Sequence, residues 1–308
     1  MDSPMVPYYR PATLTECLAL LDARYTIVAG ATDVYPARVT RRASGRPVNN
    51  RWVDISGVQG LRGVTVTPTD IRIGALTTWS DLFDHDLPPA FDGLKAAAKE
   101  VGGRQIQNRG TLAGNLCNAS PAADGVPPLL CLDASVELTS VEGTRTLPLS
   151  SFLIANRRTA RKPGELLSAI VVPTPSARVK TGFGKIGARR YLVISIAMVA
   201  VAIETDDSDV VTDVKLSVGS CSPVATRLPH IEQQLIDQFQ RSDNTSQVIH
   251  DVVTEHAFAQ TGSLTPITDI RSDAAYRLSA AVVLTRRVLH DLVVAPGDTA
   301  SQSGGAKS

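Results

Sequence analysis

Residues 101–124, VGGRQIQNRGTLAGNLCNASPAAD, interleave four glycines (Gly102, Gly103, Gly110, Gly114) with Asn108, Thr111, Asn115, Asn118 and Ser120. Glycine lets the backbone reach φ > 0 and lets a ligand approach with no Cβ in the way. Threonine, serine and asparagine supply hydroxyl and amide groups that suit phosphate or sugar oxygens. Ser120-Pro121 reads as an N-cap followed by proline at the first helical position, so bare amides run into a helix start, an anion-binding arrangement. On glycine content alone a structural turn region explains the stretch equally well. A second candidate lies upstream, where the apolar strand-like residues 25–29 (YTIVA) meet Gly30-Ala31-Thr32-Asp33. Strand, glycine turn, N-cap and helix again present free N–H groups, although ordinary β–α turns share this pattern. One such loop suits a mononucleotide; two from one domain could grip both halves of a pyrophosphate.

Other chemistry is scarce. No GxGxxG follows a strand and no GxxxxGK[ST] occurs, which disfavours a Rossmann dinucleotide site and removes the P-loop NTPases. No Ser-His-Asp, Cys-His or HExxH arrangement stands out. The four cysteines (Cys17, Cys117, Cys131, Cys221) form no CxxC pair, and the five histidines are scattered, so neither a zinc nor an iron–sulfur site is expected on this chain. Buried free thiols are the expectation instead. Lys185, Arg189 and Arg190 form a basic cluster that a solvated surface explains more simply. A net charge of +1 excludes a nucleic-acid binder that depends on a large basic field. If the chain is an enzyme, the reactive atoms belong to a cofactor.

The elements that must position these loops are legible as a two-domain α+β pattern within 308 residues of ordinary globular composition. Thr13 and Glu16 form a capping-box signature for a helix over residues 14–22. Strands are expected at 52–55, in a hairpin of 64–67 with 70–73, and at 136–138, 145–147 and 166–172. Helices are expected near 78–82 and 91–101. Pro173-Thr174-Pro175 punctuates the chain, and the domain boundary is placed there. The apolar run 191–203 is a buried strand or a helix-to-strand transition, which periodicity does not decide. Residues 211–219 should pair back antiparallel across an acidic tip at 206–209. Helices follow at 229–239, 246–258 and 274–292, and residues 295–308 lack periodicity and are expected to be disordered. No apolar run reaches the roughly 18 residues of a membrane span, and no secretory signal is visible, so a cytoplasmic location is expected.

With these residues in place, the chain resembles the FAD-binding (medium) subunit of the xanthine dehydrogenase and carbon monoxide dehydrogenase family of molybdenum hydroxylases, over nearly all of residues 7–292. IVAGATDV is similar to the family's first loop. NRGTLAGNLCNASPAAD is similar to its long second signature, and GELLSAIVVP, GFGKIGARR, LSVGSCSPVATR and ITDIRSDAAYRLSAAVVLTRRVL continue the likeness. The resemblance implies an N-terminal FAD domain of two α+β subdomains (PCMH-type; residues 1–175, divided near 56 and 57). A smaller C-terminal domain of antiparallel sheet plus helices (176–294) would follow. It implies that Ile27, Val28, Ala29, Gly30, Ala31, Thr32, Asp33 and Val34 form one FAD-binding loop. Val101, Gly110, Thr111, Leu112, Ala113, Gly114 and Asn115 would form the other. Asn118 and Asp124 would reach ribityl or ribose hydroxyls, and Leu167 and Lys185 would line the flavin ring.

The family usually carries Gly-Gly in both loops. Here the pairs are Gly30-Ala31 and Ala113-Gly114, which is tolerable if φ stays negative. Thr32-Asp33 stands where related covalent flavoproteins carry histidine, so the FAD is expected to be non-covalent. Molybdopterin and [2Fe–2S] are expected on separate large and small subunits, in a dimer of heterotrimers that passes electrons through FAD to NAD⁺ or another acceptor. A stand-alone flavin oxidase or dehydrogenase and a cofactor-less interaction module are the alternatives.

Overall fold

The computed structural model describes residues 7–22, 24–46, 51–189 and 193–293. The C-terminal stretch 295–308 and Arg190 lie outside these residues.

The chain opens with a small parallel sheet. β1 (Tyr8–Tyr9) leads into α1 (Leu14–Leu20), β2 (Thr26–Val28), α2 (Val34–Ala43) and β3 (Trp52–Asp54), in the order β1-β3-β2. The capping box at Thr13 and Glu16 is formed in full and fixes the start of α1. Cys17, Leu18, Val53 and Ile55 close a core beneath this sheet. Helix α2 is different: none of its residues is buried.

A five-stranded antiparallel sheet follows. β4 (Val64–Val66) and β5 (Asp70–Gly74) form the expected hairpin. The helices α3 (Trp79–Asp84), α4 (Asp92–Glu100), α5 (Arg104–Gln107), α6 (Leu112–Asn118) and α7 (Val126–Cys131) then cover the sheet. β6 (Ser135–Ser140), β7 (Gly143–Pro148), α8 (Leu149–Phe152), a short hairpin of β8 (Leu153–Ala155) with β9 (Arg158–Thr159), and β10 (Leu166–Pro173) complete it. The order β4-β5-β10-β6-β7 places β10 in the middle, paired on both edges, and its LLSAIVV run is buried accordingly. Trp79, Phe91, Leu94, Leu112, Leu116, Leu129 and Ile170 belong to the large core under the helices.

The remaining residues build a four-stranded antiparallel sheet, β11 (Val179–Ile186), β12 (Ala197–Thr205), β13 (Val211–Gly219) and β14 (Thr226–Arg227), in sequential order. α9 (Pro229–Phe239), α10 (Thr245–Val252), α11 (Glu255–Gln260) and α12 (Ala274–Val293) follow. The apolar run resolves as strand β12, and its ambiguity has a physical cause. Val199 and Val201 sit in the core shared with α9 and α12, while Ala200 and Ala202 pack with Cys131 of α7. Both faces are covered, so no alternation marks the sequence. The single helix expected over 246–258 is two helices, because Thr254 caps a new one by accepting from Ala257 N–H at 3.1 Å.

Candidate functional site

The two loops meet on the wall of one cleft of about 890 Å³. Strand β2 delivers the first. Ile27 and Ala29 face the cleft, whereas Val28, only 3 % exposed, points into the protein. The backbone at Gly30 then passes so close to the second loop that a Cβ would lie 1.9 Å from the Arg109 carbonyl oxygen. Only glycine permits this approach. Ala31 departs from expectation: its φ is +63°, not negative, so an alanine holds the left-handed conformation that glycine normally takes. Thr32, Asp33 and Val34 line the cleft, and Asp33 stands at the N-cap of α2 without a side-chain bond to it. Within the first turn of α2 the Tyr35 N–H donates to the Ala31 carbonyl at 3.3 Å and Pro36 has no N–H, so no row of free amides stands there.

The second loop is built otherwise. The helix start lies inside the stretch at Thr111 and not at Ser120. Thr111 Oγ1 accepts the Gly114 N–H at 2.9 Å, and Leu112 N–H donates to the Thr77 carbonyl at 3.1 Å. Ser120-Pro121 is a tight turn, with Ser120 Oγ accepting from Ala122 N–H at 3.2 Å, and α7 begins only at Val126. Serine closing its own local turn explains the misplaced cap. Gly110, Thr111, Ala113, Gly114 and Asn115 line the cleft with Val101, whereas Leu112 is fully buried in the core. Asn115 Oδ1 accepts the Gly125 N–H at 3.2 Å, which ties the loop to α7. Ala113 sits within α6, where alanine is favoured.

Deeper in, Asp124 and Leu167 line the cleft, but Lys185 does not; its ammonium is bonded to Asp124 Oδ2 at 2.7 Å and to the Glu100 carbonyl at 3.2 Å. Ser195 Oγ donates to the other Asp124 oxygen at 2.6 Å. Burial pushes the Asp124 carboxyl above its ordinary range, with Lys185 and Ser195 pulling the other way. A lysine expected on the flavin ring is thus a buried ion-pair partner. A buried charge needs such a partner, since leaving either one alone is costly.

Two segments of the cleft were not legible in the sequence. The β8–β9 hairpin and the residues after it contribute Arg157, Thr159 and Arg161, and the residues before β12 contribute Val193 and Ile194; Cys117, within the second loop's own stretch, opens onto the cleft from α6. Cys117 is therefore not a buried structural thiol like Cys17, Cys131 and Cys221. Protein nevertheless packs densely around it, and burial pushes its thiol up to about 11, so it is uncharged at neutral pH. A usable signal did exist in the basic run Arg157, Arg158, Arg161 and Lys162. At the cleft edge Asn118 has both ends of its amide engaged: Nδ2 donates to Asp33 Oδ1 at 3.0 Å, and Oδ1 accepts from Arg157 Nη1. Ala31, Ala119 and Arg157, all non-glycine residues at positive φ, flank this edge. Such strain gathers at functional sites.

The two loops thus meet at Gly30 and Arg109 on one cleft wall, in a chain whose second half is an antiparallel sheet with helices. Residues 4–175 match the family model described as the FAD binding domain in molybdopterin dehydrogenase, and residues 184–292 match that of the CO dehydrogenase flavoprotein C-terminal domain. The chain belongs to this family, the FAD-binding medium subunits of molybdenum hydroxylases. It is 30 % identical over 270 residues to the nicotinate dehydrogenase FAD-subunit of Eubacterium barkeri, covering 82 % of this chain and 88 % of that one. It is 28 % identical to the xanthine dehydrogenase FAD-binding subunit of Escherichia coli O157:H7, over 94 % of this chain and 97 % of its relative. Among solved structures it matches CO dehydrogenase from Oligotropha carboxidovorans with a TM-score of 0.82 at 25 % identity, covering 94 % of this chain and 98 % of that one.

Proposed function

We propose that this chain carries non-covalent FAD in the cleft and serves as the electron-transfer subunit of a multi-subunit molybdenum hydroxylase. The observation that carries the reading is the contact of the two loops at Gly30 and Arg109 on the wall of one large cleft. The residues present fit a dinucleotide. The cleft volume is at the upper end of the range for ligand pockets. A Cβ built at Gly114 would meet only Thr111 Oγ1, at 2.8 Å, so a larger side chain there would fill the cradle itself. Thr111 keeps its hydroxyl proton for donation, and Ile27, Val101 and Leu167 supply apolar wall for a flavin ring. Asp124 lines the cleft with Lys185 paired behind it, so that their charges offset one another.

In this reading residues 1–175 form the flavin domain, with subdomains of about 1–56 and 57–175, and residues 176–294 form the C-terminal domain. FAD, when bound, supplies the chemistry: it collects electrons from a [2Fe–2S] subunit and passes them to NAD⁺ or another acceptor. This chain binds and orients the cofactor and restricts water. The organic substrate, an N-heterocycle such as a purine, an aldehyde or carbon monoxide, would be oxidised on a separate molybdopterin subunit, in a dimer of heterotrimers in the cytoplasm. Names such as nicotinate dehydrogenase and xanthine dehydrogenase among the relatives favour the N-heterocycle.

The purified chain is expected to be yellow with flavin absorbance released on denaturation, and to pull down two further polypeptides from its native host. A colourless chain that takes up no FAD on titration would overturn the proposal.

A further inference from the structure

The cleft edge carries a feature that FAD binding by the two loops does not require. Arg157, at the tip of the β8–β9 hairpin, donates through Nη1 to Asn118 Oδ1, and Asn118 Nδ2 donates to Asp33 Oδ1 at 3.0 Å. The Arg157 N–H also donates to the Ala119 carbonyl at 2.8 Å, which fixes the hairpin tip to the end of α6. Side chains from three segments distant in sequence are thus joined in a line beside the cleft, and all three residues line it.

The residue choice is informative. Position 157 has φ +57°, and a hairpin tip with this backbone is ordinarily glycine or asparagine. An exposed arginine there carries conformational strain with no burial to offset it, and strain of this kind gathers at functional sites. Its bonded partner reaches Asp33, the residue that begins α2 without capping it. α2 buries none of its residues; its ring contacts, Tyr35 and Arg38 against Trp52, lie along its flank, and the bond at Asp33 holds its start.

We infer that Arg157 is a positioning residue for the dinucleotide: through Asn118 it holds Asp33, and with it the start of α2, at the edge of the cleft, so that cofactor release requires this line to break. The inference rests on the flavin reading. It assigns the hairpin a part in retention that neither loop motif contains.

The test compares wild type with Arg157→Gly, Arg157→Lys, Asn118→Ala and the double variant Arg157→Gly/Asn118→Ala, each as the full chain loaded with FAD. Release is followed by recovery of flavin fluorescence after dilution. Visible circular dichroism reports the orientation of the bound ring, and the melting temperature of the FAD-free chain reports stability. Glycine removes the guanidinium while suiting the left-handed backbone, so Arg157→Gly should melt no lower than wild type yet release FAD about tenfold faster, the scale of one charge-assisted bond. Arg157→Lys should recover most of the retention, and Asn118→Ala should match Arg157→Gly. The double variant should be no faster than either single one. Wild-type release and dichroism in Arg157→Gly, or independent additive acceleration in the double variant, would overturn the inference while leaving the flavin reading standing. A wild-type chain that never takes up FAD overturns the flavin reading itself, and the inference with it.

Discussion

The two loops line one cleft with opposite construction. The second is part of the protein's core: Leu112, Ala113 and Leu116 of its helix are buried, and Thr111 closes the first turn through a side-chain cap. The first is a strand end that passes over the second at Gly30, turns through a strained Ala31 and enters a helix with no cap bond and no buried residue. Ten-residue helices are marginal without packing. What contacts α2 does have are lateral, with Tyr35 against Trp52 at 5.6 Å between ring centroids and Arg38 over the same indole at 5.5 Å. The difference teaches that one of the two loops is a fixed platform. The other is held in place by what it touches.

If that contrast is right, the largest effect comes from separating the two loops. Gly30→Ala puts a methyl into the Arg109 carbonyl, and neither partner is a flexible side chain. It should cost about 3 kcal/mol, the upper end for overpacking, and strip the flavin. Denaturant unfolding and bound-flavin content check both, and a stable, fully loaded Gly30→Ala chain would separate the loops' contact from the function. Gly114→Val comes next. Its new atoms meet the Thr111 hydroxyl and otherwise the cleft, so flavin absorbance should vanish while the fold persists with a loss of about 1 kcal/mol, chiefly the disturbed cap. Normal FAD content in that variant would refute the assignment of residues 110–115. The caps themselves should then divide cleanly. Thr111→Ala should destabilise by about 1 kcal/mol, whereas Asp33→Ala, which removes no cap bond, should change thermal stability by less than about 0.5 kcal/mol.

How much of this was legible in the sequence follows the same divide. Local signals were read well where one segment settles the outcome: the Thr13 capping box, the β4–β5 hairpin and the strands that flank the acidic tip at 206–209 all stand in the structure. The glycine loops and most of their lining residues were marked by composition and by the long signature. Errors arose where a distant part of the chain decides. Lys185 reads as a free basic residue until β11 brings it onto Asp124, 61 positions away. Arg157 stands in a basic run, but its meaning comes from Asn118 on α6, 39 positions away. Ser120-Pro121 reads as a helix start because serine serves a cap and a tight turn equally well. Ala31 is the reverse case: a general rule about φ fails at the residue next to the approach of Gly30 to Arg109.

The same substitution placed in both loops gives the finest test, with a sign as well as a size. Ala31 and Ala113 each stand where relatives of this kind are expected to carry glycine, yet their backbones differ. Ala31→Gly relieves a left-handed alanine worth roughly 1–2 kcal/mol, offset by the greater freedom glycine gains on unfolding. The net should be stabilisation of about 0.5–1 kcal/mol, or a melting rise of about 1–3 °C. Ala113→Gly removes a methyl that is 3 % exposed inside a regular helix and should destabilise by about 1 kcal/mol. Flavin affinity sharpens the contrast: loosening Ala31 should weaken FAD retention even as the FAD-free chain becomes more stable, because the strained turn is what pre-sets the first loop. Calorimetry on the FAD-free variants and FAD titration of each would show opposite signs of ΔTm in the two loops. Equal destabilisation by both substitutions would mean that Ala31 is not strained, and that the two loops are built alike.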